Sequence, residues 1–138
     1  MGHKRIPSHE GGIEKGVEQH AVRMAALGHE VTVYNRGGHN VFGKEYDGAK
    51  LKRYKGVNIV TIPGPLGVPL YSFLAVLHAA LIRRCDVLSI RASGPCAMTP
   101  LAKLLGLRVV ASLHGLDSQR DKWGGFASKY LAFGERMA

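Results

Sequence analysis

The feature that most constrains the fold is an alternation of helix-like and strand-like segments. Residues 13–27 carry apolar side chains at spacings of three and four, which predicts an amphipathic helix that Gly28 ends. Residues 30–35 (EVTVYN) follow as a strand rich in β-branched residues. The alternation continues with predicted strands at 57–62, 86–90 and 107–113 and predicted helices at 70–84, 95–105 and 123–137. This order predicts an α/β, Rossmann-like parallel sheet with helices on both faces.

Two of these segments also carry an expectation about burial. Helix 70–84 is apolar nearly all round, so we expect it to be largely buried. Strand 107–113 is a continuous apolar run, which is typical of a strand buried on both faces. Between the first two strands, residues 36–56 are polar and glycine-rich and predict a loop with a short strand near 51–54.

The start of the chain departs from the expected pattern. A doubly wound domain normally begins with an apolar strand that leads into a glycine-rich turn and the first helix. Residues 1–6 (MGHKRI) hold only one strong strand former, so this first, central strand is predicted to be missing or replaced. We therefore expect marginal stability unless residues 4–6 or a partner occupy its place.

Length and apolar content limit the protein classes. The 138 residues suit one domain, and no apolar run approaches the roughly 18 residues that span a bilayer. The polar N-terminus does not resemble a secretory signal. Cys85 and Cys96 are typical of buried thiols in a reducing compartment, with a disulfide between them as the alternative. We expect a cytoplasmic chain, and peripheral attachment at the inner membrane face is the alternative.

The formal net charge of +9 indicates an anionic partner, which could be nucleic acid, anionic lipid or a phosphorylated substrate. Aromatic residues make up only 7%, and no nucleic-acid-binding module is recognisable, so nucleic acid is disfavoured. The basic stretch 44–55 has two interpretations: a solvated loop, or a contact for an anionic membrane or phosphate. The histidines lack metal-ligand spacing, so neither a metal nor another cofactor is expected.

Gly11 and Gly12 precede the first helix. Glycines allow a ligand to approach the backbone closely, and the free amides at a helix start attract phosphate or carboxylate groups. A plain turn is the alternative, because the pair is not a G-x-G-x-x-G dinucleotide motif.

Two further candidates follow predicted strands, where ligands of open α/β sheets bind. His114 ends the fourth strand and can act as a hydrogen-bond donor or an acid/base, and Asp117 and Trp123 lie in the polar loop behind it. Arg91 follows the third strand, and Ser93 is expected to cap the next helix.

Three runs in this order resemble glycosyltransferase family 4: IPSHEGGIE at 6–14, AALGHEVTVYNR at 25–36 and HGLDSQRDKWG at 114–124. The last run is similar to a bacterial, rhamnosyltransferase-like subgroup of surface polysaccharide synthesis. The family's GT-B fold consists of two Rossmann-like domains, and the resemblance makes this chain an incomplete N-terminal, acceptor-side domain without the C-terminal donor-binding domain.

The resemblance implies retaining transfer from a nucleotide-sugar to a sugar or lipid-linked acceptor, without a metal. Gly11 and Gly12 would approach the donor phosphates and the acceptor, His114 would contact the transferred sugar, and Arg91, Asp117 and Trp123 would contact the acceptor. Since the donor pocket belongs to the absent domain, the chain is expected to be inactive unless a separate C-terminal half joins it. The alternative is a stand-alone binding module for an anionic lipid-linked acceptor or a partner chain.

Overall fold

The computed structural model describes residues 1–7, 11–37, 51–63, 67–113 and 125–138. They divide into two compact units. The N-terminal unit is His3–Pro65, and the C-terminal unit combines Met1–Gly2 with Leu66–Ala138. Among the described residues, α1 and one parallel strand pair lie in the N-terminal unit, and several helices and one parallel strand pair lie in the C-terminal unit, which confirms the predicted mixed α/β class.

The N-terminal unit packs helix α1 (Gly12–Ala26) against a three-stranded sheet. Val17 and Ala21 of α1 are buried in one core with apolar side chains of the sheet and of the N-terminal segment, namely Ile6, Val33, Val57 and Ile59. Gly28 has a φ of 92°, a left-handed conformation in which glycine commonly ends helices. The predicted helix and its stop signal are thus confirmed.

The sheet of this unit has the order β1-β3-β2. Strands β1 (Thr32–Arg36) and β3 (Val57–Ile62) are parallel, and β2 (Arg53–Tyr54) joins β3 as an antiparallel hairpin. Lys55 and Gly56 both have positive φ, as a two-residue type I′ turn requires. The short strand expected near 51–54 is therefore present.

Residues 1–7 contain no strand, yet they take over part of the pairing that a first strand would provide. In the N-terminal unit, the Arg36 N–H donates to Lys4 O at 2.7 Å. The Asn35 side chain bonds both sides of Ile6: the Ile6 N–H donates to Oδ1 at 3.0 Å, and Nδ2 donates to Ile6 O at 2.7 Å. A side-chain amide thus satisfies two buried backbone groups where a neighbouring strand would otherwise do so.

The C-terminal unit contains the parallel pair β4 (Val87–Ile90) and β5 (Arg108–Ala111). Its helices are α2 (Gly67–Leu77), which continues into a π-helical turn at His78–Ile82, α3 (Ser93–Cys96), α4 (Thr99–Leu104) and α5 (Gly125–Met137). At β4, the Met1 amino group donates to Ser89 O at 2.7 Å and the Arg91 N–H donates to Met1 O at 2.9 Å.

The prediction of one continuous helix at 95–105 is wrong. The segment forms two helices, α3 and α4, which are separated by Ala97 and Met98. Pro100 lies in the first turn of α4. Proline has no N–H to donate to a carbonyl four residues earlier, so it is tolerated at a helix start and interrupts a helix interior. The break therefore has a cause that is visible in the sequence.

Two burial expectations are also wrong. Strand β5 alternates between exposed and half-buried residues, and Val110 is 53% exposed. In the helix predicted at 70–84, Leu70 and Phe73 are exposed, as are Leu81 and Ile82 of the π-helical turn. An apolar sequence pattern fixes which side chains favour burial, but the packing partners decide which ones are covered.

Helix α5 approaches α3 through a glycine. A Cβ at Gly134 would collide with Ser93 O, and one at Gly94 would lie 3.1 Å from Val68 Cγ1. Helix α5 can therefore pack this closely against α3 only because Gly134 lacks a side chain, whereas Gly94 leaves room for Val68 of α2. No helix in the described ranges is long and apolar enough to cross a membrane.

We predict that Asn35→Ala lowers the free energy of unfolding by about 2–5 kcal/mol, because it leaves the buried Ile6 N–H and C=O without partners. Urea unfolding measures the change. Asn58→Ala is the control, since Asn58 is half-buried on β3 and none of its hydrogen bonds within the described residues uses the side-chain amide. Equal small losses in both variants would contradict the assigned role of Asn35.

Candidate ligand-binding site

The predicted glycine turn lies in the N-terminal unit, where Gly11 is the N-cap of α1 with a φ of 88°. Gly11 and Gly12 are exposed, and a Cβ at Gly12 would meet nothing within 4 Å. The Lys15 N–H donates to Gly11 O at 3.1 Å, which begins the helical bonding. The preceding amides of the first turn have no acceptor within the helix, as at every helix start.

The carboxylate of Glu14 lies against this turn. A Cβ on Gly11 would collide with Glu14 Oε2, while Oε1 accepts the Lys4 N–H at 3.3 Å. A negative charge at this place is favourable because the helix N-terminus carries a partial positive charge. Glu14 is the acidic residue in the first turn of α1. Its spacing of three residues from the N-cap, as in a capping box, is the signal that indicates the fold-back.

Buried polar groups lie next to the end of β1. His3 is 4% exposed and Asn35 is 2% exposed, and His3 Nε2 is 3.2 Å from Asn35 Oδ1. The two bonds to Ile6 orient the Asn35 amide so that Oδ1 is an acceptor. His3 Nε2 therefore donates the hydrogen bond to Asn35 Oδ1. No pattern in the sequence indicated this pair.

Arg91 follows β4 in the C-terminal unit, as predicted, and is half-buried. Its backbone N–H is held by Met1 O. Burial, together with the nearby Arg91 charge, lowers the pKa of the Met1 amino group to about 5. That amine is therefore largely neutral at pH 7.

The expected capping role of Ser93 is wrong. Ala92 is the N-cap of α3, and Ser93 is the first helical residue with its side chain 1% exposed. Its hydroxyl faces inward and has no hydrogen-bond partner among the described residues, like Thr99 Oγ1 and the Tyr130 hydroxyl. A cap requires the side chain to precede the helix and reach its free amides.

The remaining predicted site residues, His114, Asp117 and Trp123, lie outside the described residues. Of the others, Gly11 and Gly12 belong to the N-terminal unit and Arg91 to the C-terminal unit. Within the described ranges no group of three or more His, Cys, Asp or Glu side chains could hold a metal ion. The expectation of a metal-free site stays a prediction.

The described part of the basic stretch forms an exposed hairpin. The side chains of Lys52, Arg53 and Lys55 are exposed, and Lys55 Nζ lies 5.3 Å from the centre of the Tyr54 ring. The Tyr54 hydroxyl donates to Glu18 Oε1 at 2.9 Å, and burial, with this bond, raises the pKa of Tyr54. Tyr54 thus fastens the basic hairpin to α1.

Residues 10–138 match the family model Glyco_transf_4, described as Glycosyltransferase Family 4. No curated protein and no solved structure matches the chain. The family match includes the glycine turn, Glu14, the basic hairpin and Arg91, and it extends over the segment that holds His114, Asp117 and Trp123.

Cys85 and Cys96 form no disulfide and should react with thiol reagents at different rates. Cys96 is fully buried and burial raises the pKa of its thiol, whereas Cys85 is half-buried. Because the thiolate is the reactive form, we predict that Cys96 reacts with Ellman's reagent about tenfold or more slowly than Cys85 in the native chain, also as the pH rises toward 9. Rates measured on Cys85→Ser and Cys96→Ser assign each phase. A fast phase that persists in Cys85→Ser would contradict the burial of Cys96.

Proposed function

The chain belongs to glycosyltransferase family 4, and on that ground we propose that it forms the acceptor-binding half of a retaining, nucleotide-sugar-dependent glycosyltransferase. The observation that carries the proposal is the open glycine turn within the matched region. Exposed glycine backbone allows close approach of a ligand, and the Glu14 carboxylate beside it can accept hydrogen bonds from sugar hydroxyls. We propose a role in surface polysaccharide or glycoconjugate synthesis, in a rhamnosyltransferase-like bacterial subgroup.

The residues have separate roles in this proposal. Gly11 and Gly12 bring the acceptor against the backbone of their own unit, and for Arg91 we propose an acceptor contact without assigning it to the same place. His114 contacts the transferred sugar, and Asp117 and Trp123 contribute acceptor contacts through a hydrogen bond and an aromatic face. Charge on the departing nucleoside diphosphate is stabilised by groups outside these 138 residues, in a second domain or a separate chain.

Acceptor binding can be tested with a pair of variants on one helix. A Cβ at Gly12 or at Gly16 meets nothing within 4 Å, so both positions accept a side chain without a clash. We predict that Gly12→Leu, which fills the open turn, weakens binding of acceptor glycosides by about tenfold or more, as loss of a positioned contact does. Gly16→Leu should bind like the unmodified chain.

The measurement is a heteronuclear NMR titration with a panel of methyl glycosides and short-chain polyprenyl-phosphate sugars, following the amides of Gly11, Gly12 and Arg91. Equal binding by both variants would contradict the placing of the acceptor at the turn. Release of nucleoside diphosphate from nucleotide-sugars by the 138 residues alone would contradict the half-enzyme proposal.

The exposed basic hairpin favours a second candidate function, a binding module for an anionic lipid-linked acceptor at a membrane surface. Lys52, Arg53 and Lys55 project from one short hairpin, and each basic residue near an anionic membrane contributes about 1 kcal/mol to binding. This contact is compatible with the acceptor-half proposal, since a lipid-linked acceptor lies at such a surface.

We predict that the chain floats with vesicles containing anionic phosphatidylglycerol, and that replacing Lys52, Arg53 and Lys55 by Gln reduces the bound fraction severalfold. The control replaces the exposed Lys15, Lys103 and Lys129 by Gln, which removes the same charge elsewhere. Loss of binding to the same degree in both triple variants would show that net charge, and not the hairpin, is responsible.

A further inference from the structure

We propose that the C-terminal unit carries an apolar patch that inserts into the surface of an anionic membrane. The patch consists of four exposed side chains at the amino ends of β4 and β5 and is named the basal patch: Leu81, Ile82, Val87 and Leu104. The inference rests on the proposed binding at an anionic membrane, and it adds an apolar contact to the electrostatic contact of the hairpin.

The course of the chain places these four residues at one end of the unit. The π-helical turn that holds Leu81 and Ile82 leads into β4, where Val87 is the first residue. Helix α4, which contacts α2, ends at Leu104, shortly before β5 begins. In the parallel pair, Val87 lies opposite Arg108, the first residue of β5. The ends of two helical segments and the starts of two strands therefore lie at the same edge of the unit.

The side chains of the basal patch project into solvent. Leu104 is 84% exposed and Ile82 is 69% exposed, and Leu81 and Val87 are each more than half exposed. A side chain that lines a groove is covered in part by its neighbours, so side chains this exposed stand out from the surface. A protein partner needs a complementary surface to cover such projections, whereas the acyl boundary of a bilayer accepts apolar side chains without a fixed shape.

Exposed cations accompany the patch. Arg83 and Arg84 directly follow Ile82, and Arg108 lies opposite Val87. Between positions 67 and 113 the sequence holds a single acidic residue, at position 86. A second copy of the chain, docked through a twofold axis, would place these cations against their own equivalents. Apolar side chains flanked by arginines match instead the anionic headgroups and the acyl boundary of a bilayer.

The first experiment compares two double variants of matched exposure. Ile82→Ser with Leu104→Ser removes apolar surface from the basal patch. Leu27→Ser with Phe126→Ser is the control, because these side chains are 75% and 85% exposed and lie outside the patch. All four side chains lie mostly in solvent, so both variants should fold like the unmodified chain. Flotation with phosphatidylglycerol vesicles measures the binding, and phosphatidylcholine vesicles test the need for negative charge.

A second measurement detects insertion itself. Leu104→Trp and Leu27→Trp are mixed with phosphatidylglycerol vesicles whose acyl chains carry bromine, which quenches an indole that enters the acyl boundary. Each fluorescence signal is taken as the difference from the unmodified chain, which holds Trp123. We expect quenching of Leu104→Trp and none of Leu27→Trp.

We expect the patch variant to bind phosphatidylglycerol vesicles about fivefold or more weakly than the unmodified chain, and the control variant to bind like the unmodified chain. Equal losses in both double variants overturn the proposal, as does equal binding to both lipids or a lack of quenching in Leu104→Trp. Sedimentation adds one more such outcome: a dimer of the unmodified chain that only the patch variant dissociates would identify the patch as a self-interface.

The hairpin is scored independently of the patch. If the Gln variant of Lys52, Arg53 and Lys55 floats like the unmodified chain, the hairpin proposal fails while the patch comparison and the quenching still decide the insertion. If that variant loses binding and Leu104→Trp is not quenched, insertion fails alone and the electrostatic contact remains.

Discussion

The N-terminal unit depends on the double hydrogen bond between the Asn35 side chain and the Ile6 backbone. Burial gives this contact its importance, since Ile6 and Asn35 are almost fully covered and an unpaired peptide group there is costly. The contact fixes the course of the N-terminal segment beside β1, and with it the Lys4 N–H that holds Glu14. The same segment thus joins the buried end of β1 to the Glu14 carboxylate of α1.

The local elements of the fold could be predicted from the sequence because each has a local cause. Apolar periodicity defines α1, β-branched residues define β1 and β3, and glycine or proline ends them. The Asn35 contact could not be predicted, since it joins residues 29 positions apart through a side chain that follows no periodic pattern. The exposure of Val110 and Leu81 was missed for a similar reason: coverage depends on neighbours, and the pattern of one segment does not contain them.

The position of the glycine turn could be predicted from the sequence, but the negative charge that Glu14 places beside it was not predicted. Glycines before a helix indicate an open turn, and Gly11 and Gly12 form one. That inference considered only the backbone, whose free amides at a helix start favour an anion, and not the side chains of the first turn. The structure places the Glu14 carboxylate against Gly11, where it accepts the Lys4 N–H. Only the spacing from Gly11 to Glu14 indicated this in the sequence.

This distinction changes the meaning of the net charge of +9. A basic chain with a glycine turn suggests at first that the charge attracts phosphate to the turn. The described residues separate the two features: the turn carries the Glu14 carboxylate, whereas the exposed cations Lys52, Arg53 and Lys55 lie on the β2–β3 hairpin. The net charge of +9 therefore does not describe the two places alike. An anionic surface is attracted to the exposed hairpin, whereas the carboxylate beside Gly11 repels negative charge locally.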